Sequence, residues 1–219
     1  HRTILDHAVI ETRASGSDAR QWIIDHVPEV TVLGFGHAIE LYKAVGDPKL
    51  VAERYGLADR RGTHAIAHTR MATESAVTTG GSHPFSTGED TCLVHNGSLS
   101  NHNLLREVLE SKGVSFQTEN DTEVAAGYVA WRLTEGDSLE EAMGRGIDDL
   151  DGFYTFCVGT RDGFAVVRDP IACKPAVMAE TDDWVAMASE YRAIAQLPDV
   201  NHAVVWEPDP AKIFAWSRA

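Results

Sequence analysis

Gly152-Phe153-Tyr154-Thr155-Phe156-Cys157-Val158 is the stretch on which the fold turns. Aromatic and β-branched residues dominate it, so it reads as a strand. Three more strand-like runs follow, at 164–168, 176–179 and 184–188. What precedes it is helical. Ser100 starts one helix, which carries Leu104, Leu105, Val108 and Leu109 as far as Gly113. A second begins near Asp121 and presents Val124, Val129 and Leu133, and Ser138 with Glu141 forms a capping box for a third. Further upstream, 63–69 alternates His with small or apolar residues, and Cys92-Leu93-Val94 reads as a buried strand. Strands, then helices, then strands predict an α+β fold with mainly antiparallel sheets rather than a parallel βαβ arrangement.

The first sixty residues have their own punctuation. Ile4, Val9 and Ile10 suggest a strand, Ser17 is placed to cap a helix running to His26, and 30–33 is a short β-branched run ended by Gly34 and Gly36. Asp47 as N-cap, Pro48 at the first helical position and Gly56 past the end delimit a further helix. The expected organisation is a small α/β segment over 1–62 and a main domain over 63–219.

Of the 219 residues, 43% are hydrophobic and 24% charged, an ordinary globular balance. With 19 basic against 33 acidic side chains, the net charge of −14 argues against nucleic acid or an anionic membrane as partner. No apolar run approaches the roughly 20 residues that span a bilayer. The chain opens His1-Arg2-Thr3 with no leader-like stretch, and Cys92, Cys157 and Cys173 are odd in number and widely spaced. Both features suit free thiols in a reducing cytoplasm. Neither Gly-x-Gly-x-x-Gly, a Walker-type lysine nor a cluster of cysteines is present, so no cofactor is expected in this chain.

Four polar segments stand where strands or loops end. In His68-Thr69-Arg70-Met71-Ala72-Thr73, an arginine after a strand offers a planar fork for a carboxylate, although an ordinary ion pair is the plainer reading. In Val94-His95-Asn96-Gly97-Ser98, the Asn96 amide and the Gly97 N–H can serve as an oxyanion hole; taken alone, Asn-Gly reads as a hairpin turn. Asn120-Asp121-Thr122-Glu123 puts carboxylates at a helix start, where they cap N–H groups or hold an ammonium. Gly80-Gly81-Ser82-His83-Pro84-Phe85 is a glycine-rich loop ending in histidine, with the character of a lid. His64, His68, His83 and His95 raise a metal-dependent hydrolase as a rival. No paired Cys-x-x-Cys or His-Glu-x-x-His spacing supports it, so no metal is expected.

Taken in order, His68-Thr69-Arg70, His83-Pro84, His95-Asn96-Gly97 with Asn101, Asp121-Thr122-Glu123, Arg168-Asp169-Pro170 with Lys174-Pro175, and Ala188-Ser189-Glu190 resemble the class II glutamine amidotransferase domain. That domain belongs to the N-terminal-nucleophile hydrolases, and the resemblance covers about 63–197. The runs 71–79 and 168–175 are most similar to the stand-alone amidotransferase subunit of N-methylglutamate synthase and other glutamate-synthase-like systems. The resemblance implies a four-layer αββα sandwich. It implies that Arg70 binds the α-carboxylate of glutamine and Asp121 its α-ammonium. Thr73 and His83 would complete the substrate contacts, with His83 on the glutamine-loop side, and Asn96 and Gly97 would form the oxyanion hole. It further implies attack by an N-terminal cysteine and delivery of ammonia to a flavin- and iron–sulfur-containing synthase subunit. Here the first residue is His1, and Met71 stands where an aromatic is common. The nucleophile is therefore expected outside this chain, the alternative being an inactive glutamine-binding or scaffold subunit.

Overall fold

The computed structural model describes residues 1–69 and 77–217. Two three-residue strands, β1 (Arg2–Ile4) and β2 (His7–Val9), form an antiparallel hairpin. Helix α1 (Gly16–His26) starts at Ser15, whose hydroxyl accepts from the Asp18 N–H, so the cap lies two residues before the expected Ser17. Helix α2 (Pro48–Arg54) has the expected punctuation, with the Asp47 carboxylate accepting from Lys49 and Leu50. Residues 30–33 form no strand. Gln117 satisfies that backbone instead: its side-chain amide exchanges two hydrogen bonds with Val32 (3.1 and 2.9 Å), as a neighbouring strand would.

The central sheet begins with β3 (Thr91–Leu99). Helices α3 (His102–Ser111), α4 (Asp121–Thr134) and α5 (Leu139–Asp149) follow, the last with its Ser138–Glu141 capping box formed. Then come β4 (Gly152–Thr160), β5 (Gly163–Arg168), β6 (Val177–Glu180), β7 (Val185–Ala188), the short helix α6 (Tyr191–Ile194), β8 (Val204–Trp206) and β9 (Phe214–Ser217). The strands form two sheets of this part of the chain, ordered β3-β4-β5-β9 and β7-β6-β8, and every ladder is antiparallel. This is the expected α+β class.

The apolar run at 152–158 is explained by burial on both faces. Tyr154, Phe156 and Val158 point into a core with Val124, Ala125, Tyr128 and Met143 of α4 and α5. Cys157 points the other way, into a cluster with Val94 and Val166 of its own sheet and Met178 of the second. Helices, first sheet and second sheet are thus stacked in that order, and α4 lies so deep that every residue from Thr122 to Ala130 is buried.

Two further sequence expectations change. Residues 63–69 are not in a ladder, although their burial alternates as a strand's would. His64 Nε2 is 2.8 Å from the Thr160 carbonyl and Ile66 packs on the inter-sheet cluster, but no described strand lies alongside to complete a ladder. The Asn96–Gly97 pair is not a turn. It lies inside β3, opposite Thr155 and Tyr154.

Candidate functional site

β3 is an edge strand, and its outer edge is consumed residue by residue. Leu93 exchanges backbone hydrogen bonds with Phe85 (2.8 and 2.9 Å). Two residues on, the His95 N–H donates to His83 Nδ1 (3.2 Å). The period of two then turns the Gly97 N–H to the same edge. On the inner side, Tyr154, opposite Gly97, directs both its N–H and its carbonyl to Asp169, which agrees with that orientation. Gly97 adopts φ +146°, and a Cβ there would lie 1.9 Å from the Phe153 carbonyl oxygen, so only glycine fits.

Helix α4 brings its first turn to this edge. Asn120 caps it, accepting from the Thr122 N–H (2.9 Å). The two carboxylates of the turn then diverge. Asp121 faces β3, where Oδ2 accepts from the Leu99 N–H (3.0 Å), and its side chain stays 22% exposed. Glu123 faces inward and accepts from the Gln117 and Thr118 N–H groups and the Thr118 hydroxyl (2.9, 2.7 and 2.7 Å). Asp121 is therefore the carboxylate open to a ligand.

Thr122, passed over in the sequence, joins the parts. Its hydroxyl lies 3.1 Å from His95 Nδ1 and 3.3 Å from His83 Nε2. Because His83 Nδ1 accepts from the His95 backbone, the His83 proton sits on Nε2 and points at Thr122. His83 is buried, its ring stacked on His68 at 4.3 Å, so it is a wall of the site rather than an exposed lid. Its role as a link between two elements has no signature in local sequence.

Burial pushes the His95 pKa down to about 4, against the partial support of the Asp121 charge. The folded state thus resists a proton that the unfolded chain accepts near 6.5, so this contribution is complete above about pH 6.5 and is lost as pH falls toward 4. Wild type is expected to lose about 2 kcal/mol more stability between pH 7 and pH 5 than His95→Gln does, measured by urea unfolding at both pH values. Equal losses in the two proteins would remove His95 as the cause.

Cys92 and Cys157 are buried between the sheets, and desolvation raises their pKa values to about 11 and about 12. Neither supplies a thiolate at neutral pH. Among the described residues no three His, Cys, Asp or Glu side chains are placed to hold a metal ion, and no helix is long and apolar enough to cross a membrane. Arg70 and Thr73 lie outside the described residues.

The first sixty residues also reach the site, which sequence reasoning missed. Lys43 is 4% exposed, and burial lowers its pKa to about 8. Arg20 of α1 is buried too, donating to the Ser115 hydroxyl and carbonyl (2.8 and 3.2 Å), and the Glu123 charge favours the charged form of both cations. Asp90 fixes the intervening chain by accepting from the N–H groups of His37, Ala38 and Ile39 (2.9, 2.8 and 3.1 Å).

The sequence and the fold both have matches among known proteins. The glutamine amidotransferase domain model matches residues 68–196, and the chain belongs to this family, as a class II domain. The "Glutamine amidotransferase-like protein GlxB" of Rhizobium meliloti is 56% identical over 213 residues, covering 97% of this chain and 71% of that protein. A "Putative glutamine amidotransferase" of Methanothermobacter thermautotrophicus is 39% identical over 193 residues, 87% of this chain and 63% of that protein. Among solved structures, one titled as the allosteric regulatory enzyme of purine biosynthesis aligns with a TM-score of 0.64 and 28% identity, over 77% of this chain and 37% of that one. The chain thus spans about two thirds of these curated relatives and about a third of the solved enzyme.

Proposed function

We propose that this chain holds the glutamine pocket of a glutaminase that feeds ammonia to a partner synthase. The observation that carries the reading is the meeting of two elements at one edge. Gly97 turns its N–H outward, and α4 brings the Asp121 carboxylate to the same strand through its bond to Leu99. In this reading Asp121 binds the α-ammonium of glutamine, Arg70 its α-carboxylate, and Thr73 and His83 line the loop side. Asn96 and Gly97 stabilise the oxyanion.

The nucleophile is a cysteine outside this chain, which the raised pKa values of Cys92 and Cys157 support. Its own α-amine takes the thiol proton as the sulfur attacks the side-chain amide carbon; the C–N bond then breaks, and that proton passes to the leaving nitrogen, which departs as ammonia. Water then cleaves the thioester and releases glutamate. The domain comprises 63–219, completed by a second helical layer into an αββα sandwich, with 1–62 as an α/β segment of the same subunit. The partner is a glutamate-synthase-like subunit, of the N-methylglutamate synthase kind, and the buried free thiols suit the cytoplasm.

The test is glutamate and ammonia release from L-glutamine by the full-length protein with its partner, together with Asn96→Ala. Loss of this oxyanion donor is expected to lower kcat by about 10²–10³-fold with little change in KM. Glutamine binding without any ammonia release would establish the scaffold alternative instead.

A further inference from the structure

We propose that Lys43 is a positioning residue, whose ammonium latches the Gly80 carbonyl and so holds the 78–82 loop against the site. This rests on reading the β3–α4 edge as a glutamine pocket, since that is the pocket the loop adjoins. Lys43 comes from the first sixty residues, is almost fully buried, and points its Nζ at the Gly80 oxygen (3.1 Å) and over the Phe85 ring (4.3 Å from the centroid).

An ammonium is costly to bury, and an apolar side chain would fill the same volume without that cost. The charge therefore has a use, and the contacts identify it. Gly80 and Gly81 have no side chains by which to anchor, so the loop is held through its backbone. Gly81 N–H donates to the Thr78 hydroxyl and Ser82 N–H to the Thr79 carbonyl, which only fold the loop on itself. Among the described residues, Lys43 at the Gly80 carbonyl and the α4 cap Asn120 at the Gly81 carbonyl (3.5 Å) tie it to the rest of the molecule. The loop runs straight into His83, which accepts from the residue before Asn96. Phe85, under the Lys43 ammonium, meets the His83 ring edge-on at 5.5 Å. Lys43 thus touches the loop at its turn and supports the wall beyond it.

The anchor behind the latch is firm. Asp90 holds 37–39, Gln117 holds Val32, and Tyr55, buried, places its hydroxyl between Asp6 and His7 while the Lys43 N–H donates to His7 Nε2 (3.2 Å). A latch needs such a fixed end, because a mobile one would transmit no restraint.

The experiment uses the full-length protein with Lys43→Met, which keeps the stem and removes the ammonium, and Lys43→Arg, which restores a donor. Amide hydrogen exchange is read at 77–82 and, as control, in α4. Met is expected to speed exchange at 77–82 about tenfold with α4 unchanged, and to raise the glutamine KM about tenfold with kcat within about twofold; Arg recovers part of both. Unchanged exchange at 77–82 in Lys43→Met overturns the proposal. Should that variant not fold, lysine side-chain nitrogen spectra of the wild-type protein decide: a Lys43 ammonium that exchanges as fast as surface lysines overturns it. Faster loop exchange in a protein that releases no ammonia retires the glutaminase reading and leaves the latch standing.

Discussion

Asp121→Asn is expected to raise the glutamine KM of the full-length protein by about ten- to a hundredfold, the cost of losing a charge-assisted contact to an ammonium. The substitution is nearly isosteric. Asn keeps an oxygen to accept the Leu99 N–H, so the tie between α4 and β3 survives. What disappears is the negative charge, with one acceptor oxygen that the Thr122 hydroxyl meets only at 3.3 Å. The bland reading of Asp121, a carboxylate that only suits the helix dipole, predicts a different result: a stability loss of about 0.3–1 kcal/mol and an unaltered KM. Steady-state glutaminase kinetics beside a urea unfolding curve separate the two, because one observable moves without the other. Glu123→Gln serves as a contrast. Its carboxylate is buried on three donors, so its loss acts on stability first.

Gly97→Ala is expected to destabilise the protein by about 3 kcal/mol or more, since it adds backbone strain to a collision. The new Cβ would stand 1.9 Å from the Phe153 oxygen and 2.8 Å from Tyr154 Cα, both on the central strand β4. It would also press on His95 Nε2 at 2.9 Å, so the strands must part where the proposed oxyanion donors lie. Gly113→Ala is the control. Gly113 also has positive φ, +88°, but nothing lies within 4 Å of its Cβ position. Strain without collision should cost about 1 kcal/mol and leave glutamine turnover intact. Unfolding midpoints of the two variants give the difference, and equal losses would deny Gly97 its special environment.

Much of the fold was legible because its signals are local. The Asp47-Pro48 start, the Ser138–Glu141 box and the runs at 152–158 and 164–168 each carry their own physics, and each element forms where expected. The errors fall where a partner decides. Residues 63–69 have strand alternation without a ladder, and 30–33 found a side-chain amide in place of a strand. The short strands β8 and β9 were unread, lying among Pro208, Pro210 and scattered acids. β9 nonetheless closes the sheet against β5, with Trp216 opposite Phe164. The Asn96–Gly97 pair shows the limit best. Its dipeptide signal is a turn, and only nine registered pairs with β4 make it the middle of a strand.

By itself the sequence determined the class, because an ordered set of short motifs and the punctuation of helices and strands depend on nothing distant. Only the tertiary structure decided which carboxylate of Asp121 and Glu123 stays open at the strand edge, for residues two apart on a helix point to opposite sides and the neighbouring strand and turn determine which side is covered. It alone joined His83, His95 and Thr122, which lie 12 and 27 residues apart in pairs and meet through single hydrogen bonds. And it alone brought Lys43 to Gly80, 37 residues away, because a buried charge finds its partner through the packing of the whole chain rather than through any pattern around it.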